Sequence, residues 1–246
     1  MQLPSNWEEI SVYQFQELRA LNPSDSVFEY YLDVLDIISD EDVDDLSVQE
    51  AQRLFNEVKW VRKEPHKVFQ KEVCGYVAKP IKDVLLEEFL DLEYYMEKGI
   101  LENMTTMAAI FYRKTKLNEW SRIVYEPYEY DAVRRGEEFL DLPITHIYGL
   151  VEDWLKYRHK LVGESYAELF DGGDISQEDL EALDPEERSQ VIKEQNEQRR
   201  FTKWAWESVL DLLTQGDLTK YNDVLNMKLI FVLNQLSRLK ETKEGH

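Results

Sequence analysis

Only nine glycines and seven prolines interrupt 246 residues, and this scarcity constrains the fold more than anything else in the chain. A β-sandwich needs a turn about every 8–12 residues and draws heavily on Gly and Pro to make them. A chain this poor in both is expected to run as long helices joined by few turns. A hydrophobic share of 43% with 12% aromatics supplies a real core, so wholesale disorder is excluded. At roughly 150 residues per domain the length fits one large domain or two small ones.

Capping signals and apolar spacing place the helices. Ser11 and Gln14 form a capping-box pattern that opens a helix carrying Val12, Phe15 and Leu18 on one side. Pro23 ends it, and Ser24 or Asp25 is expected to cap the next, whose stripe is Phe28, Tyr31, Leu32, Leu35 and Ile38. Ser47 with Glu50 caps a third, with Leu46 and Ala51 spaced for a hydrophobic staple and Leu54, Phe55 and Val58 facing inward. Between Lys67 and Lys79 the texture changes: Val68, Phe69, Val73, Tyr76 and Val77 are β-formers, and Cys74-Gly75 stands where a tight turn belongs. A small β-hairpin is expected there.

Helix resumes from Val84 to Lys98, stopped by Gly99, and again from about Glu102 to Lys114. Lys116 to Tyr130 reads as less regular, with Pro127 inside the aromatic cluster Tyr125, Tyr128 and Tyr130. A helix follows from Asp131 to Leu140. Pro143 then opens a long one bearing Ile144, Ile147, Val151, Trp154, Leu155 and Leu161. Asp171-Gly-Gly-Asp174 is the sharpest break, and Asp171 to Glu187 holds eight acidic residues and no basic one. Asp184-Pro185 starts another long helix that runs past Trp206 to about Leu213 and is stopped by Gly216, and a final helix carries Leu218, Tyr221, Leu225, Val232, Leu236 and Leu239. The expected organisation is therefore mainly α with one small hairpin near 67–79. It comprises a domain over 1–170, an acidic connector over 171–187 and long C-terminal helices over 188–246.

Charge narrows the function classes. Fifty acidic side chains face 29 basic ones, a formal net charge of −21, and residues 1–60 alone hold 14 acidic against 3 basic, a net of −11. Phosphate backbones are held by Lys and Arg, so specific nucleic-acid binding and attachment to anionic membrane are not expected; a basic partner, or a wall that repels DNA, fits better. The single cysteine, Cys74, admits no intrachain disulfide, as suits a reducing cytoplasm. Met1 to Glu9 lacks a basic start followed by an apolar run, so no secretory signal is expected. The apolar block Leu229 to Leu233 is far short of the ~20 residues that span a bilayer.

The histidines at 66, 146, 159 and 246 are dispersed; His146 and His159 lie about 20 Å apart along a helix and cannot share one ion. Asp40, Asp42 and Asp44 imitate the start of a calcium loop, but Asp45 stands where its glycine belongs and Ala51 where its bidentate glutamate belongs. Gly163-Glu-Ser165-Tyr-Ala167 echoes a nucleophile elbow without the strand that elbow requires. No residue set gathers a nucleophile, a base, a metal or a cofactor, so none of these is assigned.

Other features point to assembly. Trp204 and Trp206 are two apart on a helix, so at ~100° per residue they face roughly opposite ways. One fills the core and the other needs a different apolar surface. Leu229-Ile-Phe-Val-Leu233 is apolar for more than a full turn, which suits either a helix surrounded by its own chain or one that meets another protein. The candidate interface residues are Trp204, Trp206, Phe231, Tyr125 and Tyr128.

The order of short motifs also carries a resemblance. Leu3-Pro-Ser-Asn-Trp-Glu-Glu-Ile10-Ser-Val-Tyr-Gln-Phe15 comes first, then Tyr76-Val-Ala and Phe89-Leu-Asp-Leu-Glu-Tyr-Tyr95. A helix around Asn103 to Arg113 follows, then Tyr125-Glu-Pro-Tyr128 and Arg134-Arg-Gly-Glu-Glu-Phe-Leu-Asp-Leu-Pro143. Over roughly residues 1–165 this resembles head-to-tail and tail-region proteins of tailed phages of gut Bacteroidetes, including the crAss-like group. The resemblance implies a structural protein without catalytic activity, most simply a ring-forming subunit of the neck or tail below the portal. Its partners would be copies of itself and neighbouring neck and tail proteins such as the portal, with DNA passing close by. Its location would be the virion, after synthesis in the bacterial host cytoplasm. A tail-assembly chaperone, absent from the mature particle, is the alternative.

Overall fold

The computed structural model describes residues 3–21, 26–39, 43, 46–170 and 206–244. The fold is mainly helical with two small antiparallel sheets. The chain divides into two compact units. The first comprises Met1–Ile81 with Leu90–Leu155, the second Lys82–Phe89 with Lys156–His246.

The first unit begins with three capped helices. α1 (Val12–Ala20) opens on Ser11, whose side chain accepts from the Gln14 N–H while Gln14 returns a bond to the Ser11 N–H, and it buries Val12, Phe15 and Leu18. α2 (Val27–Ile38) is capped by Ser26, not by Ser24 or Asp25. The Ser26 hydroxyl accepts from the Glu29 N–H, so the helix begins later than the sequence suggests. Its buried face is Tyr31, Val34, Leu35 and Ile38, whereas Phe28 is exposed. α3 (Val48–Val58) carries the Ser47–Glu50 capping box and buries Ala51, Leu54, Phe55 and Val58. Phe55 stacks on Tyr31 and meets Phe28 edge-on, which joins α2 to α3. Trp7 is buried against Phe15 and Trp60, and its indole N–H donates to the Lys63 carbonyl.

The expected hairpin is present as β1 (Glu72–Val73) and β2 (Tyr76–Ala78). Cys74 and Gly75 both take positive φ, the geometry a two-residue hairpin turn demands. A third strand, β3 (Tyr112–Arg113), completes the sheet in the order β1-β2-β3, with Ala78 opposite Tyr112. α4 (Leu86–Glu97) ends before Gly99, which has φ 114°. α5 (Ile100–Phe111) runs directly into β3, so it stops short of the Lys114 end that its periodicity suggests. The apolar residues at 107–112 serve helix and strand in turn, which periodicity alone does not separate. α6 (Ala132–Glu137) lies close against α5: a Cβ on Gly136 would sit 2.9 Å from the Thr106 backbone nitrogen. α7 (Thr145–Lys160) buries Ile147, Leu150, Val151 and Trp154, and Ile144 just before it is fully buried.

In the second unit, Val84 to Leu86 pair with the chain around Lys228. Leu86 N–H donates to the Met227 carbonyl and Leu229 N–H to the Val84 carbonyl, each at 2.9 Å. A π-helical turn, Leu161–Ser165, precedes α8 (Ala167–Phe170). Tyr166, at their junction, donates to Asn234 on the terminal helix at 2.7 Å. The helix over 206–214 ends at Gly216, whose N–H caps the Asp211 carbonyl. The last helix expected from sequence is broken into a 3-10 turn (Leu218–Lys220), a short helix (Tyr221–Leu225) and the terminal helix (Leu229–Glu244). The backbone bonds to Val84 and Leu86 displace helix continuation at Met227–Leu229. The expected acidic connector over 171–187 and the start of the long helix at Asp184-Pro185 lie outside the described residues, as do Asp40, Asp42, Asp44 and Trp204.

Candidate protein interface

Between β3 and α6 the chain forms a two-stranded ribbon where sequence suggested irregular structure. β4 (Thr115–Leu117) and β5 (Ile123–Tyr125) pair antiparallel, Thr115 opposite Tyr125 and Leu117 opposite Ile123. Alternation along a strand sets these four side chains on one face. Among the described residues neither strand pairs with any other.

The base of the ribbon is pinned. Glu126 N–H donates to the Lys114 carbonyl, and the buried Arg113 guanidinium donates to the Glu126 carbonyl at 2.7 Å. Tyr125 is half-buried and its hydroxyl donates to the Ala78 carbonyl of β2. Tyr128 is buried, lies 5.0 Å under the Arg113 guanidinium and donates to Asp91 of α4 at 2.5 Å. Burial pushes the Asp91 carboxyl above the usual range, and the Tyr128 hydrogen bond partly offsets that rise.

The tip is also built. Asn118 accepts on its side-chain oxygen from the N–H groups of Trp120 and Arg122, and its carbonyl accepts from Ser121 N–H. Ser121 takes φ 55°, the left-handed conformation that the five-residue loop requires. This loop thrusts Trp120 outward with 76% of its surface exposed; Leu117 is 67% and Ile123 59% exposed, and Val124 on the opposite face is exposed as well. Leu117 and Ile123 on one face, with Trp120 at a tip fixed by the loop, make an exposed apolar surface of the kind that marks a protein-binding site.

The ribbon's charge runs against that of the chain. Lys114, Lys116 and Arg122 are exposed, against the carboxylates of Glu119 at the tip and half-buried Glu126 at the base. Among the described residues none of these three cations makes an ion pair. The patch is thus apolar and locally basic on a molecule of net charge −21.

The residues singled out from sequence fall in different settings. Tyr125 and Tyr128 hold the ribbon's base rather than forming its exposed face. In the second unit, Trp206 is half-buried and meets Phe89 edge-on at 5.5 Å. On the terminal helix Leu229, Val232 and Leu233 are buried while Phe231 is 64% exposed, so the apolar block has one uncovered side. Sequence reasoning passed over Leu117, Trp120, Ile123 and Val124 because the loop contains no Gly, Pro or Asn-Gly pair to announce a turn. The available signals were Ile123-Val124 as β-formers and three cations within nine residues of an acidic chain.

No chemistry gathers elsewhere among the described residues. His66 pairs with Glu8 at 3.1 Å, and no group of three or more His, Cys, Asp or Glu is placed to hold a metal ion. The Cys74 thiol is pushed up by burial and by the Glu138 carboxylate, the reverse of what activates a nucleophile. No helix among the described residues is long and apolar enough to cross a membrane. No family model, curated protein or solved structure matches the chain.

Proposed function

We propose that the chain is a non-catalytic structural subunit of a tailed-phage particle, joining copies of itself into a ring in the neck or tail below the portal. The observation that carries this reading is the β4–β5 ribbon. Holding Leu117, Trp120 and Ile123 in water contributes nothing to the subunit's own stability. Covering them against another protein removes apolar surface from water, which is favourable. A ribbon pinned at its base also loses little conformational entropy when it docks. Rings are closed by heterologous contacts, in which a surface of one copy meets a different surface of the next, and a projecting ribbon suits the donor side of such a contact.

Two sequence features favour the phage neck or tail in particular. The ordered motifs from Leu3 to Pro143 resemble proteins of that region, and a wall of net charge −21 lets DNA pass without sticking. Peptide mass spectrometry of purified particles tests the role. The structural reading predicts the chain in intact virions at a ring-like copy number. Abundance in infected cells with absence from mature particles would overturn it in favour of an assembly chaperone.

A further inference from the structure

We infer that the β4–β5 ribbon docks on α2 of a second copy of this chain. The inference rests on the assembly role proposed above and names its contact surfaces.

The donor surface is the exposed face of Leu117 and Ile123 with Trp120 at the tip, flanked by Lys114, Lys116 and Arg122. These cations are without ionic partners among the described residues. Their complement lies on the same unit of the protein. Glu29, Asp33 and Asp36 stand at positions i, i+4 and i+7 of α2, within about 60° of one another around its axis. All three are exposed, and none of them has a cation partner among the described residues. No Lys or Arg occurs anywhere in α2. Half-buried Leu32 and Ile37 flank this stripe on either side, whereas Val27 and Phe28 of the first turn lie about 100° or more away around the axis. A basic, apolar ribbon and an acidic helix face flanked by the half-buried Leu32 and Ile37 are complementary in both charge and polarity.

The opposite signs decide for a second copy. A chain with 21 excess negative charges repels its own copies at long range unless a local positive surface is presented first. The ribbon supplies that surface, and the acidic stripe receives it in a fixed orientation. Because donor and acceptor are different surfaces, each copy gives a ribbon and receives one, the arrangement that closes rings or extends as filaments.

Sedimentation velocity of the full-length protein across a concentration series, at low and high salt, tests the contact with reversed charges. The triple variant Lys114→Glu, Lys116→Glu, Arg122→Glu is compared with Glu29→Lys, Asp33→Lys, Asp36→Lys, each confirmed as folded by circular dichroism and melting temperature. Each alone is expected to weaken self-association by about ten-fold or more. An equimolar mixture restores it, because the acidic ribbon of one variant meets the basic α2 of the other. Trp120→Ala, which leaves every charge in place, weakens association at high salt too. If the reversed variants associate as tightly as the parent, this contact is wrong, while a chain found in virions keeps its structural role. If the parent stays monomeric at all concentrations, self-docking is overturned and the ribbon belongs to a different partner.

Discussion

Arg135 shows how single side chains hold the first unit together. It is almost fully buried, donates through Nη1 to the carbonyls of Ala109 and Tyr112, and pairs through Nε with Asp131 at 2.7 Å. One guanidinium thereby satisfies the end of α5, the start of β3 and a residue preceding α6. Removing the guanidinium leaves two buried carbonyls without this donor, while the partly exposed Asp131 keeps Arg134 at 2.9 Å. Arg135→Met is expected to cost about 3 kcal/mol in urea unfolding, and a loss below about 1 kcal/mol contradicts this bonding role. Tyr112 makes a second prediction. Its hydroxyl donates to the Gln70 carbonyl at 2.7 Å, and burial pushes its pKa from the usual 10 to about 12. The folded state therefore keeps a proton that the unfolded chain releases first. This contribution is full below pH 10 and is lost as pH rises from 10 through 12. Melting temperature should fall across that window, less steeply for Tyr112→Phe; an equal slope in both proteins counts against it. Tyr148, raised to about 12 chiefly by burial and by Glu64, leaves a residual slope.

Elements were legible in the sequence where their signals are local. The Ser11–Gln14 and Ser47–Glu50 boxes work within one turn of backbone, and Cys74-Gly75 accepts the positive φ of its hairpin. Elements set by distant partners were not. β3 is a strand because β2 lies beside it, and the final helix breaks because Leu86 N–H donates to the Met227 carbonyl and the Val84 carbonyl accepts from Leu229 N–H. The ribbon hid for a further reason: its turn is organised by the Asn118 side chain and a left-handed Ser121, which sequence does not distinguish from loop. Its apolar face is nonetheless dispensable to the subunit. Leu117→Thr with Ile123→Thr keeps β-propensity and removes only exposed apolar surface, so urea stability should change by no more than about 0.5 kcal/mol. A loss of about 2 kcal/mol or more would show that the face is buried within the subunit.

An acidic, mainly helical chain carries a β-ribbon of opposite, basic and apolar character. The candidate interface was only partly legible. Phe231 is exposed and Tyr128 buried, while Trp120, the most exposed tryptophan among the described residues, lies in a stretch that periodicity leaves blank. Assembly through the ribbon also implies salt dependence, since the Debye length shrinks from about 10 Å at 0.1 M to about 3 Å at 1 M. The most direct test is hydroxyl-radical footprinting of Trp120, read by peptide mass spectrometry in the dilute subunit and in the assembled state. The account predicts rapid oxidation of the free subunit and protection on the order of ten-fold or more after assembly, the loss of access that burial at an interface brings. Equal oxidation of Trp120 in both states would contradict it.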